Sequence, residues 1–461
     1  MRSLKLGPEA MEHGDLKRLL VSFCVPSLLS SLVTSVYNIV DQLFIGNAMG
    51  ILGNAATNVV FPAVTLITAL SLMCGVGTSA VMNLALGNGD MEKARHAAGC
   101  GIGLMILCGG VVSAAMLIFT EPLLYLFGCT DAVLPYAMPY ARITAVAYIF
   151  SLIGTAGPFL LRADGSPGFA LVCTVAGSVL NVALDALFIF GFHWGIRGAA
   201  WATVISQLVS AAMVLVYLPH FKTLRLDRSA YKPNGKLYLN IAALGAGPMF
   251  NFLTQALVQI FLNGALRTYG GASIYGSETA LAVAGVANKV NTIAVAVVTG
   301  LSNGMQPIVS YNYGKGNYKR VAETGKLVIK VILIVSFVIF LCYQLIPRQI
   351  TALFGDGDDD YFAFAASYFR IFLMLICVNG LQSSVGGFFS AQGKPKQSIL
   401  ISLTRQVLML PPLLIILPRF FGLNGVLWAG PIADFAMAVL AGFLLRNQLN
   451  ELRMNDDRTA V

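Results

Sequence analysis

Long apolar runs alternate with short polar breaks along almost the whole chain. Twelve runs stand out, at about 17–46, 53–86, 92–119, 133–161, 167–191, 196–218, 237–266, 277–312, 318–345, 359–390, 396–418 and 423–448. Most exceed the ~20 apolar residues that cross a bilayer as a helix. A helix satisfies its own backbone groups in hydrocarbon, so runs of this length predict a helical bundle rather than a barrel. The surplus length predicts helices that tilt or protrude.

The polar breaks set topology. With the N-terminus inside, twenty Lys and Arg fall on the inner side, and only Arg197, Arg267, Arg348 and Arg419 on the outer. That asymmetry in short loops places both termini in the cytoplasm, which requires an even number of spans. The longest basic break, 219–236, contains Pro219, Pro233 and Gly235 and reads as a cytoplasmic linker between two halves.

The halves repeat at an offset near 227. Gly87-Asn88-Gly89 matches Gly314-Lys315-Gly316, and Leu126-Phe127-Gly128 matches Leu353-Phe354-Gly355. Arg142-Ile143 matches Arg370-Ile371, and Ala163-Asp164-Gly165-Ser166-Pro167 matches Ala391-Gln392-Gly393-Lys394-Pro395. Gly195-Ile196-Arg197-Gly198 with Trp201-Ala202 matches Gly422-Leu423-Asn424-Gly425 with Trp428-Ala429. Six spans per half give both copies one orientation, so the repeats are parallel and related by an axis along the membrane normal. The expected organisation is a cytoplasmic segment 1–16, an N-lobe 17–218, the linker 219–236, a C-lobe 237–448 and a cytoplasmic tail 449–461.

Composition agrees: 57% of residues are hydrophobic and 11% charged, against about 25% charged in soluble proteins. The net charge of +9 sits in the loops between apolar runs, which speaks for membrane topology and against nucleic acid. Eight cysteines form no Cys-x-x-Cys pair and lie mostly inside apolar runs, so neither a disulfide nor a structural metal is expected. The first apolar run is too long for a cleavable signal. No Walker motif is present, and His13, His96, His193 and His220 form no cluster, so no enzyme is expected.

Ionisable groups inside the runs carry the candidate chemistry, because charge at membrane depth is costly. Asp41 lies about 5 residues, or ~8 Å, from the outer end of the first helix if that helix stops near Gly46. Asp185 lies ~9 Å from the outer end of the fifth, and Thr203 ~10 Å below the start of the sixth. Tyr37 and Asp41 share a helix face at i,i+4 spacing, as do Asn181 and Asp185. The set offers carboxylate, amide, hydroxyl and phenol oxygens. Hard cations take such ligands, and two close carboxylates do not both ionise cheaply, so it suits Na⁺, a proton, or either in turn. The second half lacks both acids: Asn263 stands where Asp41 does and Leu413 where Asp185 does, and the seventh helix carries Gln255, Gln259 and Asn263. Asp434 follows Gly430-Pro431 without an acidic partner at its depth and reads as structural, as do the repeated Arg142 and Arg370. Lys289 lines a central cavity or neutralises a group of the second half. Pro26 removes a hydrogen bond within the first helix and marks a hinge. The run Asp356–Asp360 lacks EF-hand spacing and reads as a solvated loop.

Asp41-Gln42-Leu43-Phe44-Ile45-Gly46, Arg162-Ala163-Asp164-Gly165 and Asn181-Val182-Ala183-Leu184-Asp185, set in two six-helix repeats, resemble the multidrug and toxic compound extrusion (MATE) transporters, closest to their MepA-like bacterial branch. The resemblance spans nearly the whole chain. It implies a MATE/MOP-type all-α membrane protein of twelve transmembrane helices. Its coupling Na⁺ or H⁺ is implied at Asp41, Asn181, Asp185 and Thr203, with Tyr37 in the same network and a bend at Pro26. The branch that couples through acids of helices 7 and 10 is not matched, since helix 7 has none and Asp358, Asp359 and Asp360 sit at the start of helix 10.

The resulting expectation is a monomeric antiporter of the cytoplasmic membrane, with no cofactor beyond H⁺ or Na⁺. It exports small amphipathic, mostly cationic compounds through a cleft near Asn38, Gln255 and Lys289. The alternative within the superfamily is a flippase for lipid-linked oligosaccharide or peptidoglycan precursors. The acid pair and the few intramembrane basic residues favour the antiporter.

Overall fold

A computed structural model describes residues 6–353 and 357–459, with backbone alone at 50–52 and 459. Arg2, Lys5, Phe354, Gly355 and Asp356, used in the charge, repeat and loop expectations, lie outside the described residues. A short helix, Pro8–His13, precedes α1 (Leu16–Met49), α2 (Gly53–Gly87) and α3 (Met91–Ile118). α4 is bent by 56° between Leu134–Val146 and Tyr148–Ala163. α5 (Pro167–Gly191), α6 (Gly195–His220), α7 (Gly235–Gly271), α8 (Gly276–Lys315) and α9 (Tyr318–Leu345) follow. α10 is bent by 48° between Asp359–Phe372 and Ile376–Ala391.

The last helical run, Pro395–Arg458, has 64 residues. Straight, it would measure ~96 Å, about three times a hydrocarbon core. It is broken at Gly422, whose φ of 56° and ψ of −137° are not helical. A Cβ on Gly425 would sit 2.4 Å from the Leu417 carbonyl oxygen, which eight residues of straight helix would hold ~12 Å away. The chain therefore reverses, giving α11 (395–421) and α12 (423–459). α1 and α2 turn back in the same way, since a Cβ on Gly46 would lie 2.9 Å from Asn54 Nδ2. Among the described residues, nine helices or runs, two bent pairs and the split at Gly422 make the twelve spans that the apolar pattern predicts. No strand occurs among the described residues. The protein is an all-α, multi-pass membrane protein.

The repeat is written into the backbone. Gly89 and Gly316 have φ of 79° and 81°, Gly165 and Gly393 both 75°, Gly195 and Gly422 both 56°. These left-handed positions favour glycine, which explains why glycine turns carry the sequence match. The residues after the first pair cap the next helices: Asp90 accepts from Lys93 N at 2.9 Å and Asn317 from Arg320 N at 3.2 Å.

Both termini meet the same turn. Arg320 donates to Gly14 O at 2.6 Å, and Lys319 N to Asp456 at 3.2 Å. At this terminus-bearing end the two halves are tightly joined through glycines. A Cβ on Gly77 would lie 2.0 Å from Ile241 O, and one on Gly304 2.5 Å from Cys24 Cα. The buried core accordingly runs from the first half into Leu301, Met305 and Ile308 of α8. A separate core around Leu262, Phe364, Tyr368 and Val426 fills the second half.

The linker is a strap folded onto the first half. Buried Asp164 accepts from Lys222 N and Thr223 N, both at 2.8 Å, from the Thr223 hydroxyl at 2.6 Å and from the Tyr217 hydroxyl at 2.9 Å. Arg95 pairs with Asp227 at 3.0 Å. The Asp of the Arg162–Gly165 motif thus holds the strap. Its counterpart Gln392 accepts from Gln448 of α12 at 2.8 Å.

Candidate functional site

α1 runs unbroken through Pro26, whose carbonyl accepts from the Ser30 hydroxyl at 2.9 Å. It continues to Met49, beyond the end expected at Gly46, because the chain reverses only over 50–52. Asp41 is therefore 8 residues, ~12 Å, from the helix end. Asp185 is followed by a π-helical stretch, Ala186–Gly191, a local widening that often marks functional positions. Phe44 of α1 meets Phe190 of this stretch edge to face at 5.6 Å, and Phe188 stacks on Trp194 at 5.0 Å. These rings fix the far ends of α1, α5 and α6 around the acids.

The structure brings the carboxyl groups of Asp41 and Asp185 side by side and places Tyr37 within electrostatic reach of both. Asp185 is fully buried, Asn181 is buried one turn before it, and Asp41 and Tyr37 are half-buried. Asp41 Oδ1, Asn181 Oδ1 and both carboxyl oxygens of Asp185 are buried without a hydrogen-bond donor among the described residues. As two carboxylates, the acids can only accept; a single proton between them would make one a donor to the other. Leaving several acceptors bare in hydrocarbon is costly. An acceptor set of this kind suits a proton or a hard metal ion bound by oxygen.

Thr203 is half-buried on α6 and turns its hydroxyl to Ala199 O at 3.1 Å, which leaves its lone pairs to accept. The bent α4 adds Tyr140, buried and close enough to feel both acids and Tyr37. Sequence reasoning missed it. The available signal was Tyr140 with Tyr148 eight residues on, two phenols on one face of an apolar run.

In the second half the amides of α7 and α8 are bonded to one another. Asn288 donates to Gln259 at 2.8 Å, and Gln259 to Asn263 at 2.8 Å. Asn263, at the position of Asp41, thus ends a neutral chain. Asp434 is buried and bonded to Arg405 Nε, a partner the sequence reading did not assign. Arg405 lies in another π-helical stretch, Thr404–Met409. Arg370 and Gln344 exchange bonds at 3.2 and 3.1 Å, joining α9 to α10 as a structural contact, while Arg142 is exposed. Lys289 is exposed and outside any ion pair among the described residues, as Asn38 and Gln255 are exposed.

A family model, MatE, matches residues 26–187 and 271–415. The multidrug export protein MepA of Staphylococcus haemolyticus is 23% identical over 445 residues, 96% of each chain. MepA of Staphylococcus aureus strain MSSA476 is 24% identical over 442 residues, 95% of this chain and 96% of that one. A structure of the outward-facing conformation of a multidrug resistance MATE family transporter of the MOP superfamily superposes with a TM-score of 0.89 at 22% identity. It covers 97% of this chain and 98% of that chain.

Proposed function

Because the chain belongs to the MatE family, we propose that it is a multidrug efflux antiporter that exports amphipathic, mostly cationic compounds in exchange for H⁺ or Na⁺. The observation that carries this reading is the group of bare acceptor oxygens on Asp41, Asn181 and Asp185. It is a cation site in the first half, opposed by the neutral amide chain of Asn288, Gln259 and Asn263 in the second. Thr203, Tyr37 and Tyr140 complete its wall. The MepA names of the relatives support the substrate class.

In this reading the chain sits in the cytoplasmic membrane with both termini inside, as the Lys and Arg asymmetry requires. α1–α6 and α7–α12 act as two lobes joined at the inner end, so the substrate cleft opens outward between Asn38, Gln255 and Lys289. A cationic drug is attracted by the ionised acids. A proton or Na⁺ arriving from outside neutralises them and favours the state that releases drug, since a ligand shifts an equilibrium only by differential affinity. Pro26 gives α1 a place to bend when the acids change charge. The unit is the monomer.

The test is transport by purified protein in proteoliposomes. Ethidium export should follow an imposed Na⁺ or pH gradient, and Asp41→Asn and Asp185→Asn should each abolish it while inserting normally. Gradient-independent lipid scrambling instead of dye export would overturn the reading in favour of a flippase.

A further inference from the structure

A cavity of about 530 Å³ opens at the terminus-bearing end between α1 and α9, which belong to opposite halves. Lys17 lines it from α1, and Lys326 and Lys330 from α9. All three are exposed, and none joins an ion pair among the described residues. Two acids, Asp15 and Glu323, also border it, and both already have positive neighbours. Asp15 caps α1 by accepting from Arg18 N at 2.8 Å. Both lie within electrostatic reach of the Arg320 guanidinium, which is held by Gly14 O at 2.6 Å. Lys326 and Lys330 sit one helical turn apart, an arrangement of like charges that destabilises a helix unless an anion lies between them.

The surroundings identify the anion. Above Lys17, Val21, Val25 and Leu29 follow at four-residue steps, 61%, 46% and 42% exposed. Above Lys330, Ile334 and Val338 do the same at 55% and 54%. Each wall is thus a basic residue at the foot of an exposed apolar stripe. Lys330 lies 12 residues, ~18 Å, along α9 from Tyr318, so its ammonium must reach back toward the interface. A free phosphate would need only the lysines. A phospholipid uses both features, with its phosphate among the ammonium groups and its chains along the stripes. Basic pockets between transmembrane helices recognise anionic headgroups in this way.

We propose that this cavity binds the headgroup of one anionic phospholipid, bridging α1 and α9. By touching both halves at the end where they are joined, the lipid favours this arrangement over any in which that end parts.

The test uses the full chain in detergent, titrated separately with phosphatidylglycerol, phosphatidylcholine and inorganic phosphate, and read by native mass spectrometry and thermal melting. One phosphatidylglycerol should be retained at least ~10-fold more tightly than phosphatidylcholine, while inorganic phosphate gives no shift in melting. The triple variant Lys17→Gln, Lys326→Gln, Lys330→Gln should weaken phosphatidylglycerol roughly 100-fold, at about fivefold per lysine. The charge-matched triple Lys93→Gln, Lys232→Gln, Lys236→Gln should keep it. If the first triple does not fold, Lys330→Gln alone should weaken binding about fivefold. Equal binding of the two lipids, full replacement by inorganic phosphate, or equal losses in the two triples would each overturn the proposal.

Discussion

Asp41 and Asp434 show how one residue type does two jobs at membrane depth. Asp434 meets Arg405, so its charge is matched inside the protein. Breaking such a pair by removing one partner typically costs 3–5 kcal/mol, whereas replacing both with apolar groups of similar volume is near neutral. Arg405→Met should therefore lower the melting temperature sharply, and Arg405→Met with Asp434→Leu should recover most of the loss in the same melting experiment. Asp41 has no such partner among the described residues. Asp41→Asn should leave melting within a few degrees of the wild type and remove coupling. The acids were legible from sequence because a charge in an apolar run stands out. Tyr140 was not, because a phenol there is ordinary, and its relation to the acids depends on the bend at Ala147. Arg405 could be listed but not paired, since no sequence period links residues on α11 and α12.

At the scale of elements, the glycines carry most of the structure. Those at 89, 165 and 195 recur at 316, 393 and 422 with matching φ, which is why the repeat could be read without a structure. Those at 77 and 304 bring backbones together across the halves, and nothing in the sequence marks them apart from other membrane glycines. Gly304→Leu would drive a side chain into Cys24 and force α1 from α8 at the terminus-bearing end. Cys24, 6% exposed in this structure, should then react with a maleimide at least ~10-fold faster in a variant lacking the other cysteines, a gain in opening of over 1 kcal/mol. An unchanged rate would show that the seam tolerates the bulk. The strap was legible only as a linker. Its anchor, Asp164, was noticed as part of a motif, but the four donors that reach it from 217–223 became visible only with the chain folded.

For the whole molecule, two halves share a backbone and differ in charge. The first holds bare acceptors at Asp41, Asn181 and Asp185. In the second, Asn263 of an internal amide chain stands at the position of Asp41, and the one buried acid among its described residues, Asp434, is closed in an ion pair. Energy coupling through one half predicts that restoring an acid to the other will not create a second coupling site: Asn263→Asp keeps an acceptor for Gln259 Nε2 and should leave the number of ions exchanged per drug unchanged in reconstituted vesicles. The most direct test of cation coupling through Asp41 is ethidium efflux from proteoliposomes under separately imposed Na⁺ and pH gradients, comparing the wild type with Asp41→Asn at equal protein content. Efflux by the wild type that follows one of the gradients, with none from the variant under either, is the predicted result. Gradient-driven efflux by Asp41→Asn at the wild-type rate would contradict it.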